Sequence, residues 1–178
     1  EPSLANLPKQ AIHNDANDYN ILVAGELNDP RKVSGLIDLG DMCTAPRICD
    51  LAIAGAYIVL DHAKPEQALA ALVAGYHAAN PLTPAEVDLI WPLLRARLAV
   101  SVVNSTLMAA DNPDDPYVVI SQAPAWRFLE NHPIHQGLLT AQLRAACGLP
   151  VVDGADRVLA YMDTERGNFA PLMGTDLA

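Results

Sequence analysis

The sequence predicts an α+β fold that is mainly α-helical, with a small β-hairpin set ahead of a helical subdomain. Three observations carry this. Residues 11–42 read as a polar loop followed by two short apolar strands joined by a turn. From residue 48 onward the chain is punctuated by helix signals, including prolines at first-turn positions and a capping box. The composition is 51% hydrophobic but only 5% aromatic, with Ala and Leu filling long stretches, which favours packed helices.

Glu1–Gln10 carries Pro2 and Pro8 and reads as an entry segment. Ala11 and Ile12 lead into the polar loop, His13 to Asn20. Ile21–Val23 is a brief apolar strand. After a turn from Gly25 to Arg31, Lys32–Ile37 alternates into a second strand that ends on Asp38. Cys43–Arg47, with Pro46 inside it, reads as a loop. A helix from about Asp50 to about His62 is apolar nearly all round, which predicts burial. Asp50 in its first turn complements the helix dipole.

Pro65 opens a second helix that stops at Asn80-Pro81. Leu69, Leu72, Val73 and Tyr76 share one of its faces, and Gly75 predicts close contact with another helix. Thr83-Pro84-Ala85-Glu86 is a capping box. The long helix it opens reaches about Ala110, and Pro92 inside it predicts a kink or a break. Arg95 and Arg97, in its middle, read as solvated or ion-paired, because arginine is seldom fully buried. Asp111–Pro116 (DNPDDP) is a loop. Two helices follow, Pro124–Asn131 and Pro133–Cys147, the second closed by Gly148. Trp126 and Phe128 read as core or groove aromatics. His132 and His135 read as structural, since further metal ligands are not found near them. Beyond Pro150 the character changes. Residues 1–150 are therefore expected to form one domain, and 151–178 a linker or the start of a following domain.

The polar loop carries the chemistry. Its spacing is His13-x-Asp15-x-x-x-x-Asn20, and the second strand delivers Ile37-Asp38-Leu39-Gly40-Asp41. Phosphoryl transfer needs a carboxylate to orient and deprotonate an attacking hydroxyl, and oxygen ligands to hold Mg²⁺ against the phosphates. Asp15 suits the first task, and Asn20 and Asp38 suit the second. The same order appears in the catalytic-loop and metal-binding motifs of kinases. Turns alone would use Asp and Asn in such a hairpin, but they do not require a His two residues before an Asp.

Composition narrows the field. The formal net charge is −10, with 21 acids against 11 bases. Nucleic-acid binding rests on Lys and Arg neutralising phosphates, so it is not expected. The charge suits a cationic small substrate, and equally an ordinary acidic cytosolic protein. No apolar run approaches the roughly 18 residues of a membrane span, and no basic, apolar signal opens the chain, so no membrane association is expected. Cys43, Cys49 and Cys147 are odd in number and lack zinc-ligand spacing. They read as free thiols of a reducing, cytoplasmic compartment, with a catalytic Cys as a weaker alternative.

HNDANDYN followed by LIDLGDM resembles the aminoglycoside phosphotransferase and choline kinase superfamily, which has a protein kinase-like fold. Within it the resemblance is closest to hydroxylysine kinase-like phosphotransferases, including bacterial versions fused to class III aminotransferases. The ILV after Asn20 and the Asp50-Leu51-Ala52 that opens the next helix fit that pattern, and the resemblance covers roughly residues 8–149. It implies the C-terminal lobe of a kinase, with ATP or GTP as co-substrate, Mg²⁺ as cofactor and Asp15 as catalytic base. Asn20 and Asp38 would bind the metal and nucleotide, and His13 would brace the loop. Asp41 is either a supporting partner or an acidic contact for a cationic acceptor. The acceptor hydroxyl would belong to hydroxylysine or an amino alcohol, lying between the hairpin and the helices from Asp50 onward.

A kinase also needs an N-terminal lobe that covers the phosphates and supplies a pairing lysine. The sequence holds no G-x-G arrangement, and of Lys9, Lys32 and Lys64 none is expected on a strand ahead of the loop. The chain is accordingly expected to be a fragment that lacks this lobe and is inactive alone. Two rival readings are a catalytically silent kinase-like binding or regulatory module and a metal-dependent hydrolase using the same acids.

Overall fold

Two antiparallel two-stranded sheets lead into a set of packed helices. They are seen in a computed structural model of the chain, which describes residues 4–25, 32–111, 122–131 and 135–168. The expected 25–31 turn after Gly25, the 111–116 loop after Asp111, His132 and the end of the 151–178 segment lie outside the described residues.

Strands β2 (Ile21–Ala24) and β3 (Lys32–Leu36) form the expected hairpin, with Ile21 opposite Leu36 and a bulge between Leu22 and Val23. A second ladder was not expected. Strand β1 (Lys9–Ile12) pairs with β4 (Cys43–Pro46), Ile12 opposite Cys43 and Lys9 opposite Pro46. The two stretches had read as an entry segment and a loop. Pro46 is tolerated because a two-stranded ladder has only edges, where a missing N–H costs little. The next residue continues the pairing, with the Arg47 N–H donating to the Pro8 carbonyl at 3.0 Å. Lys9 therefore does stand on a strand just ahead of the polar loop, contrary to the sequence reading, although its side chain is exposed.

The helices are α1 (Ile48–Ile58), α2 (Pro65–Ala79), α3 (Pro84–Asp111), α4 (Gln122–Asn131), α5 (Gln136–Ala146) and α6 (Ala155–Thr164). Helix α3 is the axis of the fold: α1, α4 and α5 pack on it, and α2 bridges α1 and α5. Its Val87, Ile90, Trp91, Leu94, Leu98 and Val102 form a buried stripe at helical spacing. Against it lie Ile48, Leu51 and Ala56 from α1, Leu69 and Val73 from α2, Phe128 from α4, and Leu139 and Leu143 from α5. Phe128 meets Trp91 edge to face, with centroids 5.9 Å apart. Trp126, two residues earlier on the other side of α4, is 53% exposed and is not a core residue.

Helix α3 runs through Pro92 without a break. Proline removes the N–H that would meet the Asp88 carbonyl, but Ile90, Trp91 and Leu94 are buried on both sides of it. That packing holds the helix in one piece. By length and composition α3 is apolar enough to span a membrane. Here it supplies the central core stripe, and its Glu86, Asp88 and Arg97 are ion-paired within the fold. Gly75 does not provide the expected helix contact, since a Cβ there would meet nothing within 4 Å. That role falls to Gly55 on α1, where a Cβ would lie 2.9 Å from Leu69 Cδ1 and 3.3 Å from Leu94 Cδ1.

Among the described residues, three arginines with little exposure, Arg47, Arg144 and Arg97, tie elements together through carboxylates. Arg47, just beyond β4, donates to Glu86 on α3 at 2.6 and 2.8 Å, and also to Asn80 and the Pro81 carbonyl. Glu86 closes the predicted capping box as well, accepting the Thr83 N–H at 2.8 Å. This network fastens the β1–β4 ladder to the helices. Arg144 on α5 grips Asp88 of α3 with two hydrogen bonds, at 2.8 and 2.6 Å. It also reaches Asp153 at 3.1 Å and the Pro150 carbonyl at 3.3 Å, which pins the turn before α6. Helix α6 itself buries none of its residues. The third pair, Arg97–Asp15, belongs to the site.

Candidate active site

The polar loop between β1 and β2 is held from three sides. Asp50, in the first turn of α1, accepts the backbone N–H groups of His13 and Asn14 at 3.2 and 2.9 Å. Asn14 adopts φ 66°, a left-handed conformation that Asn tolerates better than most residues. The sequence assigned Asp50 only to the helix dipole; its larger role is to fasten this loop. His13 is buried and bridges inward. Its Nδ1 accepts the Asp15 N–H at 3.3 Å, so its Nε2 carries the proton and donates to the Ile37 carbonyl at 2.8 Å. Asn17 closes the loop as an Asx turn, accepting the Tyr19 N–H at 2.9 Å.

Asp15 sits at the centre. Its Oδ2 accepts from Asn17 Nδ2 at 2.9 Å and from Asn20 Nδ2 at 3.1 Å, and its Oδ1 accepts from Arg97 Nη2 at 2.9 Å. A carboxylate has about four acceptor positions, so among the described residues these donors leave one for a ligand. Asn20 is buried, and its Nδ2 also donates to the Asp15 carbonyl at 2.9 Å, which turns its Oδ1 the other way. The Asn20 carbonyl accepts the Ile37 N–H at 3.0 Å. Ile37 is thus bonded to His13 on one side and to Asn20 on the other. The residue after it is Asp38, exposed and in the left-handed region at φ 61°, with Gly40 close to its carboxylate.

A cavity of about 660 Å³ opens beside Asp15. The loop side contributes Asp15, Asp18 and Asp41; the helix side contributes Tyr57 from α1 and Arg97, Ser101 and Asn104 from α3. The last three follow helical spacing and make a polar stripe on an otherwise apolar helix. Of the residues singled out in the sequence, Asp15 and Asp41 line this cavity. His13 and Asn20 are buried and bonded to Asp15, and Asp38 stands outside the cavity lining.

Arg97 was not recognised as a site residue, although ion pairing was one of its two expected fates. A strong charge in the middle of an apolar helix was the available signal; its partner, 82 residues away in sequence, was not visible. Among the described residues no group of three or more His, Cys, Asp and Glu side chains is placed to hold a metal. A cation at Asn20 Oδ1 and Asp38 would have two protein oxygens. This donor set suits Mg²⁺, which keeps several waters and is commonly bound through one or two carboxylates plus phosphate oxygens. The cysteines are unpaired, and burial pushes the Cys49 and Cys147 thiols up, which makes them poor nucleophiles.

A small hairpin, a loop built around Asp15 and a helical subdomain make a mainly helical α+β fold, compatible with a kinase-like one. Residues 1–90 match the phosphotransferase enzyme family, and the chain belongs to that family. It is 31% identical over 135 residues to hydroxylysine kinase of Xenopus laevis, covering 72% of this chain and 36% of that protein. Hydroxylysine kinase of Danio rerio is 30% identical over 118 residues and that of Mus musculus 30% over 125, each match covering 66% of this chain and 33% of the relative. The chain spans about a third of the length of the curated relatives it matches. No solved structure matches it.

Proposed function

We propose that this chain is the C-terminal lobe of a small-molecule kinase, which transfers the γ-phosphate of ATP or GTP to a hydroxyl of an amino-bearing acceptor, hydroxylysine- or amino-alcohol-like. The lobe comprises residues 1–150, and 151–178 lead out of it. The observation that carries this reading is the state of Asp15. Its carboxylate is fixed by three side-chain donors at the wall of a cavity, with one acceptor position to spare.

In this reading the cavity takes the acceptor. Asp15 accepts the hydrogen of the attacking hydroxyl and orients its oxygen, a positioning task more than one of strong basicity. Asp18 and Asp41 offer carboxylates to an ammonium group. His13 braces the loop and carries the geometry of Asp15 over to Ile37 and so to Asp38. Asn20 Oδ1 and Asp38 would hold Mg²⁺ with the nucleotide. When bound, Mg²⁺ offsets charge on the phosphates. The other half of the nucleotide cleft is an N-terminal lobe of the same polypeptide. Exposed apolar side chains of the hairpin and the segment after it, Leu22, Val33, Leu36, Ile37 and Leu39, suit contact with such a lobe. The unpaired thiols suit the cytoplasm.

The test is magnesium-dependent nucleotide turnover by a polypeptide carrying both lobes, with and without amino-alcohol and hydroxy amino acid acceptors. Turnover that rises with such an acceptor and yields its phosphate ester is the expected result. Nucleotide binding without transfer would point to a silent module, and acceptor-independent hydrolysis would point to a hydrolase. Either outcome overturns the reading.

A further inference from the structure

Arg97 lies at the cavity wall between two elements, and its hydrogen bonding is lopsided. Nη2 donates both to Asp15 Oδ1 and to the Tyr57 hydroxyl, each at 2.9 Å. The guanidinium carbon is 5.7 Å from the Tyr57 ring centre. Nε, by contrast, is buried with no hydrogen-bond partner among the described residues. An arginine kept only for stability would satisfy its buried nitrogens, as Arg47 and Arg144 do with paired donors on one carboxylate. Arg97 instead reaches Asp15 through a single nitrogen and leaves a buried donor unmet.

Resting on the kinase reading of Asp15, we propose that Arg97 is a positioning residue: it holds the Asp15 carboxylate in the one orientation that presents its remaining acceptor position to the acceptor hydroxyl. Asn17 and Asn20 both act on Oδ2. Without Arg97 the carboxylate loses, among the described residues, its only charged partner and its only side-chain hydrogen bond on Oδ1. The plane of the carboxylate is then free to turn about the Oδ2 contacts. Tyr57, braced on α1, keeps the guanidinium from swinging into the cavity. Misplacing a catalytic group by about 1 Å can cost on the order of 100-fold in rate, so such an anchor should appear in turnover more than in binding.

The experiment compares Arg97→Ala, Arg97→Gln and Asp15→Asn in a polypeptide carrying both lobes, following transfer to the acceptor at saturating nucleotide. Both Arg97 variants should lower kcat by roughly 10- to 100-fold while the KM values for nucleotide and acceptor stay within about threefold. Added guanidinium chloride, at concentrations below those that unfold the protein, should restore part of the kcat of Arg97→Ala and none of that of Asp15→Asn. Arg97→Gln retains an amide donor and covers the case in which the alanine variant does not fold. Loss of activity in Asp15→Asn with near-normal kcat in both Arg97 variants would overturn the role of Arg97 and leave the kinase reading intact. A raised acceptor KM with unchanged kcat would also overturn it, making Arg97 a binding contact. Full activity in Asp15→Asn would overturn the kinase reading itself.

Discussion

Replacing Glu86 with alanine should be among the most destabilising single changes in this fold. The side chain is fully buried, and its two oxygens accept four hydrogen bonds: Arg47 Nε at 2.6 Å, Arg47 Nη2 at 2.8 Å, the Thr83 N–H at 2.8 Å and the Thr83 hydroxyl at 3.0 Å. Truncation takes the carboxylate away from the Arg47 guanidinium, itself only 12% exposed, and leaves it the neutral acceptors of Asn80 and Pro81. Removing one partner of a buried pair costs about 3–5 kcal/mol, because the other charge stays buried and uncompensated. Domains of this kind have only about 5–15 kcal/mol in all. At roughly 2–4 °C per kcal/mol for this chain length, Tm should fall by about 6–20 °C. The assay is thermal unfolding followed by circular dichroism near neutral pH. Arg47→Met combined with Glu86→Leu removes both charges and should recover most of the loss. A fall of less than about 2 °C in Glu86→Ala, or a double variant as unstable as the two singles summed, would show that Arg47 and Glu86 are not coupled as a buried pair. The same carboxyl sets a pH dependence. Burial pushes its pKa up, but hydrogen bonds from Arg47 and from the Thr83 backbone and hydroxyl more than offset this and hold it below its ordinary value. The folded state therefore binds this proton less readily than the unfolded chain. The contribution of Glu86 is fully present above the unfolded value, about 4.3, and is lost as pH falls through the folded value. The stability gap between wild type and Glu86→Gln should be constant above about pH 6 and shrink in acid.

Three further outcomes are expected. Gly55→Ala should destabilise by about 1–3 kcal/mol through overpacking against Leu69 and Leu94. Gly75→Ala, which meets open space, should stabilise α2 by up to about 1 kcal/mol; denaturant melts of the two variants side by side check the contrast. Asp50→Ala frees the N–H groups of His13 and Asn14 and should cost about 1–3 kcal/mol. Amide exchange should accelerate across 13–20, and unchanged protection there would show that the loop is held by other contacts. Asp38→Asn should weaken magnesium–nucleotide binding in titration calorimetry of the two-lobed polypeptide, and wild-type affinity in that variant would remove Asp38 from the metal site. This chain alone should bind the nucleotide weakly or not at all.

Local signals carried most of the helical architecture. Pro65 and the Thr83–Glu86 box placed two helix starts, and Gly148, in the left-handed region at φ 66°, follows the end of α5 as predicted. The β2–β3 hairpin was legible from its apolar runs. What failed was non-local. The β1–β4 ladder joins four-residue strands more than thirty positions apart, and no four-residue window specifies its partner. Pro92 carried a correct local preference that core packing on both sides overrode. Gly75 and Gly55 are equally small, and only the packing distinguishes them. The site divides the same way. His13, Asp15, Asn20 and Asp38 are visible as a spaced motif because one loop and one strand supply them. Asp50 and Arg97, which hold that motif in place, come from other elements and had only ordinary readings.

In the proposed mechanism Asp15 serves the acceptor hydroxyl and Asn20 with Asp38 serve the metal and nucleotide, a division of roles that one variant separates. It is tested most directly by Asp15→Asn in a polypeptide with both lobes, measuring phosphate transfer to a hydroxylysine-like acceptor and magnesium–ATP affinity in the same samples. Transfer should fall by at least about 100-fold, while the nucleotide dissociation constant moves by less than about threefold. Transfer near the wild-type rate, or a loss of nucleotide affinity in proportion to the loss of transfer, would rule out this division of roles.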